Sequence, residues 1–259
     1  MARDRARLPR RVRVRVRVAL SALPALLALG SAALAVPAGA SAGPVGHDVS
    51  SHQRNVDWAF AKSRGASFVY VKATESTSYR NPYFGQQYGG ARRAGLVRGA
   101  YHFAVPDQSS GRAQADYFVR NGGGWSGDGW TLPPAVDLEH NPYGKDAKGG
   151  SGAPCYGLSP AAMTDWIAGF SDEVRLRTGR RPVIYTTTLW WNECTGRSRA
   201  FGADHALWLA RYAAAPGALP TGWSYWTFWQ HADGSGRLPG DQNLFHGTFA
   251  QLRRFATGR

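Results

Sequence analysis

The sequence is poor in cysteine, methionine and acid. It holds two Cys, two Met and 17 Asp+Glu against 31 Lys+Arg in 259 residues. Two cysteines cannot staple a disulfide-rich fold, and they form no thiolate cluster for a metal. No H-x-x-x-H or similar spacing gathers His47, His102 or His140 into a metal site. No metal and no cofactor are therefore expected. No G-x-S-x-G elbow is present, which removes the usual serine hydrolase. No glycine-rich loop follows the first apolar strand, which argues against a nucleotide-binding sheet. Basic residues stand in ones and twos with no nucleic-acid motif, so no nucleic-acid partner is expected. No internal repeat and no second domain are visible.

The excess of basic charge divides in two. Eight arginines between positions 3 and 17 precede an uncharged Ala/Leu-rich run, Val18 to Val36. Ala40-Ser41-Ala42 then offers a small-residue cleavage pattern. Residues 1–42 read as a secretory signal peptide and residues 43–259 as a single domain. The run is just long enough for a membrane anchor. Pro24, Pro37 and the Ala-Ser-Ala site favour cleavage, so a secreted protein with no stable membrane association is expected. Arg10-Arg11 hints at twin-arginine export, but the surrounding Arg-Val alternation matches that signal poorly. The leader carries eight Arg and one Asp, so the remainder has 23 basic and 16 acidic residues, a net +7. That charge favours approach to an anionic polymer. In an exported chain the default for Cys155 and Cys194 is one disulfide.

Beyond the leader, short apolar strands alternate with amphipathic helices. Strands are predicted at 46–50, 67–73, 97–103, 134–138 and 182–186. Helices are predicted at 56–64, opened by Asn55, and at 82–94, 109–120 and 159–178. The last has Ser159 as cap, Pro160 in its first turn and Gly179 at its end. Then the pattern changes to strands at 206–212, 224–231 and 242–245 without convincing helices between them. Stretches 122–129 and 149–152 are glycine-rich loops. The expected fold is α/β, an irregular TIM-like barrel of about five β/α units followed by about three strands. The structural alternative is a doubly wound open sheet.

Acids are few, and several fall at strand ends, where parallel barrels place reacting groups. Asp48 lies on the first strand, Glu75 follows the second, Asp137 and Glu139 end the fourth, and Asp241 precedes the last. Asp137 and Glu139 are the sharpest pair. Positions i and i+2 of a strand share a face, roughly 6–7 Å apart along it. Val136 and Leu138 then point into the barrel–helix layer. Neighbouring carboxylates raise one pKa and keep a proton near neutrality. Glycosidic cleavage needs such a donor and a second carboxylate to stabilise positive charge. Flat aromatic faces suit sugar rings. Most of the ten Trp, eleven Tyr and eleven Phe belong to the core. Tyr101, Trp226 and Trp229 are the candidates for a substrate groove.

At these residues the chain resembles glycoside hydrolase family 25, the Chalaropsis-type lysozymes. The resemblance covers about 46–255. It runs in order through GHDVSSHQ, VDWAFAK, FVYVKATES, YRNPYFGQQ, AGLVRGAYHFA, PPAVDLE, TGRRPVIYTT, LWLARY, WTFWQHADGSGRLPG and DQNLFHG. It implies an irregular barrel and hydrolysis of the β-1,4 bond from N-acetylmuramic acid to N-acetylglucosamine. Bacterial peptidoglycan is the implied partner, acted on by a monomer. Carried onto this chain, Glu139 matches the general acid, and Asp137 the residue that stabilises or orients the substrate acetamido group. Asp48 and Asp241 match the remaining active-site acids, and Glu75 an acid that binds or supports substrate. Ser76 stands where the family often has Gly. Two readings compete: a non-catalytic glycan-binding barrel, and a chitinase. Against the chitinase, the full D-x-x-D-x-D-x-E strand motif is absent and only its final D-x-E is seen.

Overall fold

Among the described residues, side-chain caps start five of the six α-helices. The computed structural model describes residues 43–143 and 152–259. The expected leader and most of the glycine-rich stretch 149–152 lie outside the described residues. Asp57, not Asn55, caps α1 (Trp58–Ser63), its carboxylate accepting from Phe60 N at 2.9 Å. Ser110 caps α3 (Gly111–Arg120), and Thr187 caps α5 (Thr188–Cys194). Ser159 caps α4 (Pro160–Thr178), which ends on Gly179 at φ 75°. Thr248 and Gln251 form a reciprocal capping box on α6 (Phe249–Thr257). Only α2 (Phe84–Arg93) begins without such a bond. Each cap satisfies an amide that the first turn would leave unpaired.

Eight strands close a barrel. They are β1 (Val45–Val49), β2 (Phe68–Glu75), β4 (Val97–Phe103), β5 (Ala135–Leu138), β6 (Val183–Thr186), β7 (Leu207–Ala210), β8 (Phe228–Ala232) and β9 (Asp241–Phe245). A short β3 (Tyr79–Arg80) hangs on the edge of β2. Pairing is parallel from β1 through β2, β4, β5, β6, β7 to β8. β9 runs antiparallel between β8 and β1 and closes the ring. Five β/α units followed by three strands is the count expected, and the open sheet is excluded by the β1–β2 and β1–β9 pairings.

The interior follows from strand alternation. Phe68, Tyr70, Val97, Ala135, Val183, Trp208, Phe228 and Phe245 pack inside the barrel. Tyr70 lies 4.7 Å from Trp208, stacked. Glycine makes this possible. A Cβ on Gly99 would stand 2.3 Å from the Tyr70 ring, and one on Gly46 2.5 Å from Phe68. The intervening residues, among them Val136, Leu138 and Ile184, face outward against α3 and α4. A disulfide joins Cys155 to Cys194, with Cα atoms 5.3 Å apart. It ties the loop after β5 to the end of α5.

Candidate active site

Inward-facing positions turn from apolar to polar along the barrel axis. At the carboxyl end of the parallel strands the same faces that carry Phe68, Phe228 and Phe245 carry Lys72, Gln230 and Asp241. Here lies a pocket of about 300 Å³, lined by Asp48, Lys72, Tyr101, Asp137, Glu139 and Asp241 among others. Antiparallel β9 contributes its first residue, Asp241, because it enters from this end. Asp48 and Asp241 are direct register partners. All four expected acids therefore meet, although they come from positions up to 193 residues apart.

Asp137 is buried at 6% exposure, and Glu139 beyond it is partly open to the pocket. Their side chains are hydrogen-bonded to each other. Burial, and then the Glu139 charge, hold the Asp137 carboxyl well above the ordinary range. Burial also raises Glu139, opposed by the bond to Asp137 and by the Lys72 charge. One proton is thereby kept on the pair. Asp137 Oδ1 is buried and finds no hydrogen-bond partner among the described residues.

Asp48 sits deeper. Burial, followed by the Asp241 charge, pushes it up to about 7. Two amides oppose that rise. Gln230 Nε2 donates to Asp48 Oδ2 at 2.9 Å, and Asn243 Nδ2 donates at 2.6 Å. Both amides are themselves oriented: Tyr185 OH donates to Gln230 Oε1 at 2.8 Å, and Trp208 Nε1 to Asn243 Oδ1 at 2.6 Å. Gln230 also reaches Asp241 Oδ2 at 3.2 Å, and burial raises Asp241 too. A fixed amide points its two donors in known directions, so the interior network sets where the Asp48 oxygens stand.

Lys72 is the cation of the pocket. Its Nζ lies 2.6 Å from Glu75 Oε2 and 4.5 Å from the Phe103 ring centroid. Glu75 in turn accepts a bond from Tyr143 OH. Glu75 thus stands behind Lys72, outside the pocket lining, and links it to the chain after β5. Tyr101 lines the pocket at 8% exposure, its ring edge-on to Trp208. Trp226 and Trp229 do not reach it. Trp229 alternates with inward Gln230, so its ring lies outside the barrel with Leu207 and Leu209. Trp226 precedes the first residue of β8, at the opposite end of the barrel, 4.5 Å from the His246 ring. Sequence reasoning missed Lys72, Gln230 and Asn243. The i, i+2 rule that paired Asp137 with Glu139 also places Gln230 two residues after Phe228, and Asn243 two after Asp241.

The profile of the family described as Glycosyl hydrolases family 25 matches residues 47–241, a span that contains Asp48, Asp137, Glu139 and Asp241. The chain belongs to this family. An N,O-diacetylmuramidase of Arthroderma benhamiae is 50% identical over 244 residues, covering 92% of this chain and 99% of that one. Lysozyme M1 of Streptomyces globisporus is 46% identical, over 83% of this chain and 72% of that one. The solved muramidase from Acremonium alcalophilum is 50% identical with a TM-score of 0.78, covering 83% of this chain and 99% of that one. Family 25 membership makes the chain a glycoside hydrolase.

Proposed function

We propose that this family 25 chain is a muramidase that hydrolyses the β-1,4 bond from N-acetylmuramic acid to N-acetylglucosamine in bacterial peptidoglycan. The observation that carries the reading is the buried, hydrogen-bonded Asp137–Glu139 pair at the carboxyl end of the barrel. Glu139, the more exposed partner, gives its proton to the glycosidic oxygen as the bond breaks. Asp137 turns Oδ1 to the acetamido N–H of the muramic acid ring. The acetamido oxygen then attacks the anomeric carbon, and Asp137 balances the positive charge that develops. Glu139, now ionised, takes a proton from the water that opens the cyclic intermediate. Two inversions return the β configuration. Asp48 and Asp241 hold the floor of the pocket, and Tyr101 offers a ring face beside them. Residues 1–42 serve as an export leader, and residues 43–259 act in the extracellular space as one catalytic domain.

The test is to digest purified peptidoglycan, reduce the products with borohydride, and identify the reduced sugar. The expected product is reduced N-acetylmuramic acid, with the β anomer formed first in a proton NMR time course and no turnover of chitin. Reduced N-acetylglucosamine, or chitin turned over as readily, would overturn the reading.

A further inference from the structure

The chemistry above uses one end of the barrel. At the other end the topology collects arginine. Arg92 lies in the last turn of α2 just before β4, Arg180 and Arg181 precede β6, and Arg253 lies on α6, which follows antiparallel β9. All of these stand at the amino end of the parallel strands, which a seven-residue strand such as β4 separates from the pocket by about 20 Å.

Two of these arginines are held in an unusual state. The Arg253 guanidinium lies 3.6 Å from the Trp130 ring centroid, and Arg92 lies 4.6 Å from the same ring. Arg180 lies 5.3 Å from the Trp125 ring centroid. Arg180 and Arg181 also border a cavity of about 380 Å³ that Phe255 of α6 closes on one side. The carboxylates of this end are already engaged. Arg181 faces Asp172 at 2.8 Å and Asp204 at 2.9 Å, and Asp128 faces Arg98 at 3.9 Å. Among the described residues no carboxylate pairs with Arg92, Arg180 or Arg253. The Nε atoms of Arg180 and Arg253 are buried and have no hydrogen-bond partner. Partly buried guanidinium groups without a counter-charge are costly to keep. The tryptophan faces hold the guanidinium planes, and apart from the long bond from Arg180 Nη1 to Gly258 O at 3.5 Å their terminal N–H groups have no hydrogen-bond partner among the described residues. Planar, separated N–H forks match a chain of phosphates.

We propose that this end of the barrel is a second, non-catalytic site that binds a phosphodiester polymer of the wall, of the polyol-phosphate (teichoic acid) class. It tethers the enzyme by the end opposite its pocket, so the pocket stays open to glycan while the molecule is held. The inference rests on the wall as the setting of the reaction. Its test involves no bond cleavage, so its failure and the failure of the muramidase reading are distinguishable.

The probe is synthetic poly(glycerol phosphate) of about ten units, titrated calorimetrically into the exported protein at low salt. The wild type binds, and affinity falls with salt. The double variant Arg180→Gln/Arg253→Gln binds roughly tenfold more weakly, with a log–log salt slope shallower by about two, one for each lost phosphate contact. Hydrolysis of soluble, phosphate-free wall glycan is unchanged in that variant. Arg237→Gln, exposed in the β8–β9 connection at the pocket end, binds as the wild type does. A melting curve checks that the double variant folds. The exposed Arg92→Gln carries the same test, with a several-fold loss, if the double variant does not fold. No binding by the wild type, or equal binding by the folded variants, would overturn the site. An oligodeoxythymidylate of equal phosphate number binding as tightly would overturn the wall polymer as its occupant.

Discussion

Burial and the Asp241 carboxylate push Asp48 from its ordinary 3.8 up to about 7. Between those values the folded chain keeps a proton that the unfolded chain has released. Stability contributed by this group is therefore complete below about pH 4 and is lost as pH rises towards 7. Asp48→Asn is neutral throughout and removes that slope. Melting curves of the two proteins should draw apart between pH 4 and pH 8 in favour of the variant, while activity falls. Parallel curves would mean that Asp48 is not held protonated. Lys72 acts on the other pair. Its charge favours the ionised forms of Asp137 and Glu139. In Lys72→Met both carboxyls rise further, so the basic limb of the pH profile of kcat/KM should move to higher pH. An unmoved limb would separate Lys72 from the acid pair. The four acids were legible in the sequence because each stands near a strand end in a chain with few acids. Gln230 and Asn243 were not, because amides carry no charge pattern and their role exists only once β8 and β9 flank each other. Trp226 and Trp229 misled for a related reason. Aromatic residues are read as groove or core according to strand direction and parity, and a cluster of tryptophans reveals neither.

At the scale of elements, the disulfide is the connection whose removal is easiest to read. Cys155 and Cys194 close a loop with a sequence separation of 39. In the chain-entropy model such a bond is worth roughly 3–4 kcal/mol. The Cys155→Ala/Cys194→Ala variant should melt at a clearly lower temperature. It should keep wall hydrolysis when assayed well below its melting point, since Asp48, Asp137 and Asp241 stand on β1, β5 and β9, and Glu139 directly follows β5, 16 residues before Cys155. Equal melting of both proteins would contradict the assignment of stability to this tie. Gly240 is the corresponding point inside the site. It has φ 76°, and a Cβ there would stand 1.9 Å from the Asp48 carbonyl oxygen. Gly240→Ala must move either β1 or the start of β9, and so part Asp48 from Asp241. Turnover should drop strongly, and an unimpaired Gly240→Ala enzyme would show that the register of these two acids is unimportant. The eight barrel strands were legible from apolar runs bounded by Gly, Pro and polar residues. α5 was not, because seven residues with adjacent Trp190 and Trp191 display no period. α6 had its signal in Thr248 and Gln251, a capping box that stands out only when the following Phe249–Thr257 is read as helical.

At the scale of the whole molecule the barrel has two contrasting ends, with buried carboxyls raised towards neutral pH at one and, at the other, guanidinium groups of Arg92, Arg180 and Arg253 that no carboxylate pairs with among the described residues. The net +7 of residues 43–259 acts over the distance that salt allows, about 10 Å at 0.1 M and about 3 Å at 1 M. Lysis of intact, polymer-bearing walls should therefore decline as salt is added, and cleavage of a short uncharged glycan should decline much less. Matching salt profiles would remove charge from targeting. The central claim concerns Glu139, and the most direct measurement is the turnover of purified peptidoglycan by Glu139→Gln beside the wild type, with matching melting curves and circular dichroism spectra. Glutamine keeps the shape and cannot deliver a proton, and general acid catalysis contributes about 10²–10⁴-fold. The account predicts a folded protein whose turnover is reduced by at least about a hundredfold. A folded Glu139→Gln protein that retains more than about half of the wild-type rate would contradict it, since that loss is far below the contribution of a general acid.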